Sequence, residues 1–68
     1  MAMAQYTQLQ TLLNKNKVAK DTTIKWEYYG YGFLSCSGEC KVSELPSQVK
    51  YAKCFDVSDG VYRVDGAL

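Results

Sequence analysis

The stretch Thr23-Ile24-Lys25-Trp26-Glu27-Tyr28-Tyr29-Gly30-Tyr31-Gly32-Phe33-Leu34 decides the fold. Ile24, Trp26 and Tyr28 alternate with Lys25 and Glu27. That is the period of two of a half-buried strand, written in β-favouring residue types. Beyond Tyr28 two readings compete. If the strand runs straight through, Tyr29, Tyr31 and Phe33 lie on the face opposite Ile24 and Trp26, as an aromatic stripe beside Lys25. If the chain turns at Tyr29-Gly30, residue 28 pairs with 31, 26 with 33 and 24 with 35. Ile24, Trp26, Tyr28, Tyr31 and Phe33 then share one face. The turn separates apolar from polar better and is the favoured reading. Tyr29 suits the positive φ of a two-residue loop poorly, and a slightly longer loop relieves this.

Working outward, the period changes on either side. Over residues 3–16, Tyr6, Leu9 and Leu13 recur at helical spacing, with Leu12 beside them and Met3 one turn earlier. This predicts an N-terminal helix with one apolar stripe. Asn14, Asn16 and Lys17 supply its stop, and Lys15 suits the negative end of the helix dipole. Four turns are too short to be stable alone, so the stripe needs a surface to cover. Toward the C-terminus, Asp59-Gly60 is a favoured type I′ pair. It sets 58 opposite 61, 57 opposite 62, 56 opposite 63 and 55 opposite 64. Phe55, Val57, Tyr62 and Val64 then share a face, and Asp56 meets Arg63 on the other with opposite charge. Ser37-Gly38 is a further turn candidate between Cys36 and Cys40. Leu45-Pro46-Ser47 is a break. Residues 47–55 read either as strand or as helix. The expected fold is one α+β domain over 1–68, an N-terminal helix packed on a small antiparallel sheet of three to five strands within 22–66. An OB-like small barrel is the alternative.

Composition narrows the function. A chain of 68 residues buries only about 60% of its unfolded surface, enough for one thin core. Eight Lys and Arg against seven Asp and Glu give a net charge of +1, without the strongly basic signature of duplex DNA binders. Lys15, Lys17 and Lys20 precede the first acid, Asp21, and read as a solvated helix end and linker. There is no His, so the commonest general base and the usual imidazole metal ligand are missing. Neither an enzyme nor a cofactor is expected. Cys36, Cys40 and Cys54 are three thiols where structural zinc wants four ligands, and no metal is expected. They read as packing thiols, with a Cys36–Cys40 bridge across the Ser37-Gly38 turn as the rival. No apolar run approaches the roughly 18 residues of a membrane span, and the N-terminus lacks a signal-peptide pattern. A cytoplasmic protein without membrane contact is expected.

Ile24-Lys25-Trp26, followed by Gly30-Tyr31-Gly32-Phe33-Leu34, resembles the opening two strands of cold-shock domains. These are small OB-fold barrels that bind single-stranded RNA and DNA. The resemblance covers residues 23–34. It implies that Trp26, Tyr31 and Phe33 stack bases and that Lys25 meets phosphate. Stacking of this kind is worth about 1–3 kcal/mol per base.

Nine aromatics, six of them Tyr, exceed what one short helix can hide on a small sheet. Some are expected at the surface, where Tyr and Trp dominate protein interfaces. The candidate binding surface is Lys25, Trp26, Tyr29, Tyr31 and Phe33. The first expectation is a non-catalytic module that binds a protein partner or itself, as an inhibitor or adaptor of the kind carried by phages and mobile elements. The second is a single-stranded nucleic-acid binder using the aromatic strand.

Overall fold

The computed structural model describes residues 7–67. Its elements are β1 (Thr7–Gln8), α1 (Leu9–Lys15), β2 (Thr23–Gly30), β3 (Phe33–Lys41), a 3₁₀ turn (Val42–Glu44), α2 (Ser47–Lys50), β4 (Lys53–Ser58) and β5 (Val61–Asp65). The fold is α+β, and among the described residues the five strands form one open sheet in the order β1-β4-β5-β2-β3. Because the sheet is open, with β1 and β3 at its edges, it does not close as the alternative OB-like barrel would.

The sheet is two hairpins laid side by side. β2 pairs antiparallel with β3, β4 with β5, and β1 with β4. The central pair, β2 with β5, is parallel. The sheet is therefore mixed, where the sequence reading made it wholly antiparallel. Each hairpin is a local event. Their juxtaposition depends on the crossover from β3 to β4. That crossover buries Val42, Leu45, Val49 and Ala52 in the cluster that holds Ile24, Trp26, Cys54 and Val64. Leu9 and Leu13 of α1 belong to the same cluster. The face that carries it is the inner face below.

The β2–β3 turn forms, but two residues later than Tyr29-Gly30. Gly30 pairs with Phe33, and Tyr31 and Gly32 make the loop with φ of 54° and 84°. Positive φ at both positions is the type I′ requirement. Trp26 explains the shift. A turn at 29–30 would set Phe33 against the indole, whereas here Trp26 faces Gly38. The indole fills the space of the missing side chain, since a Cβ on Gly38 would stand 2.6 Å from Trp26 Cζ2. A bulge between Tyr28 and Tyr29 absorbs the extra residue. Ser37-Gly38 is thus the middle of β3 and not a turn.

The Asp59-Gly60 hairpin forms with φ of 53° and 76° at its loop. Ser58 faces Val61, Val57 faces Tyr62 and Asp56 faces Arg63, as the turn chemistry dictates. The expected pairing of 55 with 64 fails. Cys54 takes the place opposite Val64, and a bulge falls between Cys54 and Asp56. The bulge moves Phe55 out of the set it was expected to share with Tyr62 and Val64. Of residues 47–55, the first four are helical and those from Lys53 onward are strand.

The N-terminal helix is shorter than predicted. Thr7 and Gln8 pair with Cys54 and Lys53 of β4, so α1 starts at Leu9. Residues 3–6 lie outside the described part. The helix ends in a Schellman motif. Lys17 N–H donates to Asn14 O at 3.1 Å and Val18 N–H to Leu13 O at 3.0 Å. Lys17 occupies the left-handed position, φ 57°, where glycine is usual. Lys17→Gly is expected to raise stability by about 0.5–1 kcal/mol, because a left-handed conformation costs an L-residue roughly 1–2 kcal/mol and Gly's chain entropy returns part of it. Urea denaturation of the two proteins measures this directly.

Candidate interaction surface

Strand parity sorts the candidate residues. Ile24 and Trp26 of β2 are buried on the inner face. Lys25, Glu27 and Tyr29 take the outer face. Beside them on β5 and β4 stand Arg63 and Asp56. Arg63 Nε donates to Glu27 Oε1 at 2.9 Å, and its Nη1 donates to Asp56 Oδ2 and Ser58 Oγ, each at 2.6 Å. Tyr29 donates its hydroxyl to the same Glu27 oxygen at 2.8 Å. The Asp56–Arg63 half of this network was legible from the hairpin register. Glu27 and Tyr29 join it only because β2 runs parallel to β5. Phe55, displaced by its bulge, meets Tyr29 edge-to-face at 5.5 Å and 76°.

The network sets charge states on this face. The Tyr29 hydroxyl, and then Arg63, hold the Glu27 carboxyl below its ordinary range. The same bond to Glu27 pushes the Tyr29 phenol up. A carboxylate whose pKa is depressed by folding stabilises the fold fully above its unfolded pKa, and that contribution fades as pH falls through the folded value. Glu27→Gln is therefore expected to flatten the acid side of the stability–pH curve below about pH 4.5, leaving the slope at neutral pH unchanged. Chemical denaturation across pH 2–7 (about seven points) checks this. The groups are partly exposed, so water and salt screen them and the effect shrinks with added salt.

The other side of β2 is the core. Trp26 is only 8% exposed. Its Nε1 has no acceptor within hydrogen-bonding distance among the described residues.

Among the described residues the largest apolar exposure lies at the tip of the β2–β3 hairpin. Tyr31 is 87% exposed, Phe33 77% and Leu34 54%. Leu34 pairs with Tyr29 and so belongs to the outer face, while Phe33 pairs with Gly30 on the inner side. The tip therefore shows apolar groups in both directions.

The five sequence candidates divide accordingly. Tyr31 and Phe33 come together at the tip. Tyr29 is half-buried behind them, against Phe55. Lys25 stands apart on the outer face, opposite Glu39, in a groove of about 320 Å³ shared with Glu27, Ser37 and Val61. Trp26 belongs to the core cluster, 8% exposed, and reaches the surface only where it lines the groove beside Lys25 with Gly38. Leu34 was missed. The signal that could have found it is the Tyr31-Gly32 pair, which offers glycine at the second loop position as Asp59-Gly60 does.

The thiols are also placed. Cys36 is exposed, Cys40 half-buried and Cys54 buried, and all are free. Cys36 and Cys40 lie four residues apart on one strand, about 13 Å, well past disulfide reach. The intrachain bridge weighed from sequence required a turn that is not there. Burial pushes the Cys54 thiol up, and its S–H points to the Asp56 carbonyl at 3.5 Å.

No helix among the described residues is long and apolar enough to cross a membrane. Compared with protein families, curated proteins and solved structures, the chain finds no match in any of the three.

Proposed function

We propose that this protein is a non-catalytic binding module that engages another protein through the β2–β3 hairpin tip. One observation carries the reading. Tyr31 and Phe33, with Leu34 next to them in sequence, expose their apolar side chains at one hairpin tip, on a chain whose core is built elsewhere. Apolar clusters rimmed by polar surface mark interaction sites, and aromatic side chains that lose water in a partner's pocket supply most of the affinity. The turn that carries them is held by the β2–β3 ladder, so little order must be gained on binding. A net charge near zero suits a protein partner better than a polyanion. The same reading keeps the module in the cytoplasm, where an exposed Cys36 thiol stays reduced.

The test compares tagged wild type with Phe33→Asp, both shown to be folded by circular dichroism. Wild type is expected to retain one discrete protein from host lysate and Phe33→Asp to lose it. Retention by both, or by neither, contradicts the reading. Oligo-dT and oligo-U at low salt are the nucleic-acid arm, and neither is expected to bind. Binding there that weakens steeply with salt would move the function to single strands.

A further inference from the structure

β3 is a long edge strand, and its outer side is unpaired among the described residues. Which of its backbone groups face outward follows from two hydrogen bonds. Val42 N–H donates to Thr22 O at 3.0 Å, so the even residues of β2 turn toward β3. Gly66 N–H donates to Tyr29 O at 2.9 Å, so the odd ones turn toward β5. By alternation, Cys36, Gly38 and Cys40 spend their backbone groups on β2. Ser37, Glu39 and Lys41 turn theirs to the open edge.

We infer that this edge pairs antiparallel with the same strand of a second copy, on a two-fold axis through Gly38. The register follows from self-complementarity. The regular part of β3 runs from Cys36 to Lys41, because the bulge opposite Tyr28 and Tyr29 interrupts it before Cys36. A two-fold axis normal to the sheet must pass through a residue, and only axes at Gly38 or Glu39 keep that regular part paired. The Glu39 axis sets two carboxylates face to face, which is repulsive. The Gly38 axis sets Ser37 against Glu39 twice, as a hydroxyl donor beside a carboxylate. These two pairs are the ones whose backbone groups point outward, so they exchange the new ladder bonds. Glycine on the axis leaves the crossing free of side chains.

The same register places Cys36 of each copy opposite Cys40 of the other, on the inner face. Both pairs fall at non-hydrogen-bonded positions, where Cα atoms lie about 4.5 Å apart, within disulfide range. The pairing does not use Tyr31 or Phe33, so it stands or falls independently of what binds the hairpin tip. It adds a partner that charge and register identify, a second copy of this chain.

Two measurements test it. Sedimentation equilibrium from about 10 µM to 1 mM is expected to show the molar mass doubling with concentration, since strand pairing of this extent lies at the weak end of interfaces. Dithiodipyridine then reports the register. Each bridge joins two thiols, consumes one reagent molecule and releases two thiopyridones. Wild type is expected to give a covalent dimer. Cys36→Ser alone and Cys40→Ser alone, both folded by circular dichroism, are expected to give none. An equimolar mixture of the two is expected to regain it, because one copy then supplies Cys36 and the other Cys40. A strict monomer throughout, a covalent dimer from either single variant alone, or no recovery in the mixture overturns the inference.

Discussion

Leu13→Ala is expected to leave most of the chain unfolded at 37 °C. Leu13 is 1% exposed and lies in the one buried cluster described, with Leu9, Val49, Val64 and Trp26. Removing a buried leucine costs about 2–5 kcal/mol, the upper part applying where the site cannot collapse. Here Leu13 sits one turn from the Schellman end, and its carbonyl anchors Val18. The backbone is held, so the cavity stays open. A domain of this size has only about 3–10 kcal/mol in total. Leu12→Ala, at a half-buried neighbour on the same helix, is the control and is expected to cost less than half as much. Equilibrium urea unfolding separates the two. Equal losses would mean that α1 does not present the face described.

Gly38→Ala is expected to be nearly as damaging, for the opposite reason. The added methyl would stand 2.6 Å from Trp26 Cζ2 and 3.0 Å from Cε2. No carbon pair tolerates that, and the indole has little room, since Trp26 is packed within the core cluster. Overpacking of this kind costs about 1–3 kcal/mol. In a domain this small, each kcal/mol lowers Tm by about 4–8 °C. A double-mutant cycle assigns the cause. Trp26→Phe shortens the ring that collides, so the pair Gly38→Ala with Trp26→Phe is expected to be clearly less destabilised than the sum of the singles. Additive losses would show that Gly38 is required for some other reason.

That contact also explains what could and could not be read in the sequence. The Asp59-Gly60 hairpin was legible because its signal is local. The loop chemistry fixes the register of Ser58, Val57 and Asp56, and opposite charges at Asp56 and Arg63 agree with it. The loss of register at Phe55 was not legible, since nothing in the adjacent residues announces a bulge. The β2–β3 turn was misplaced by two residues because glycine occurs at both Gly30 and Gly32. The choice between them is made at a distance, by Gly38 beneath the indole, eight positions from Gly30. The parallel pairing of β2 with β5 was invisible for a similar reason. It joins two hairpins through a crossover whose buried residues, Val42, Leu45 and Val49, carry no strand or helix period long enough to read.

The candidate site follows the same division. Tyr31 and Phe33 were identified by residue type, and the turn places them together. Trp26 is of the same type and belongs to the core. Parity alone could not separate them, because the turn position sets which aromatics share a face. Once the turn is at Tyr31-Gly32, Tyr31 takes the loop itself, Leu34 moves to the outer side, and the tip becomes an apolar projection.

Site-resolved photo-cross-linking in the host cell tests the central claim most directly. A benzophenone side chain replaces Phe33 in one protein and Thr11, on the exposed side of α1, in another. The account predicts one discrete protein adduct from position 33 and none from position 11. No adduct from position 33, an equal adduct from both positions, or an adduct to nucleic acid would contradict it.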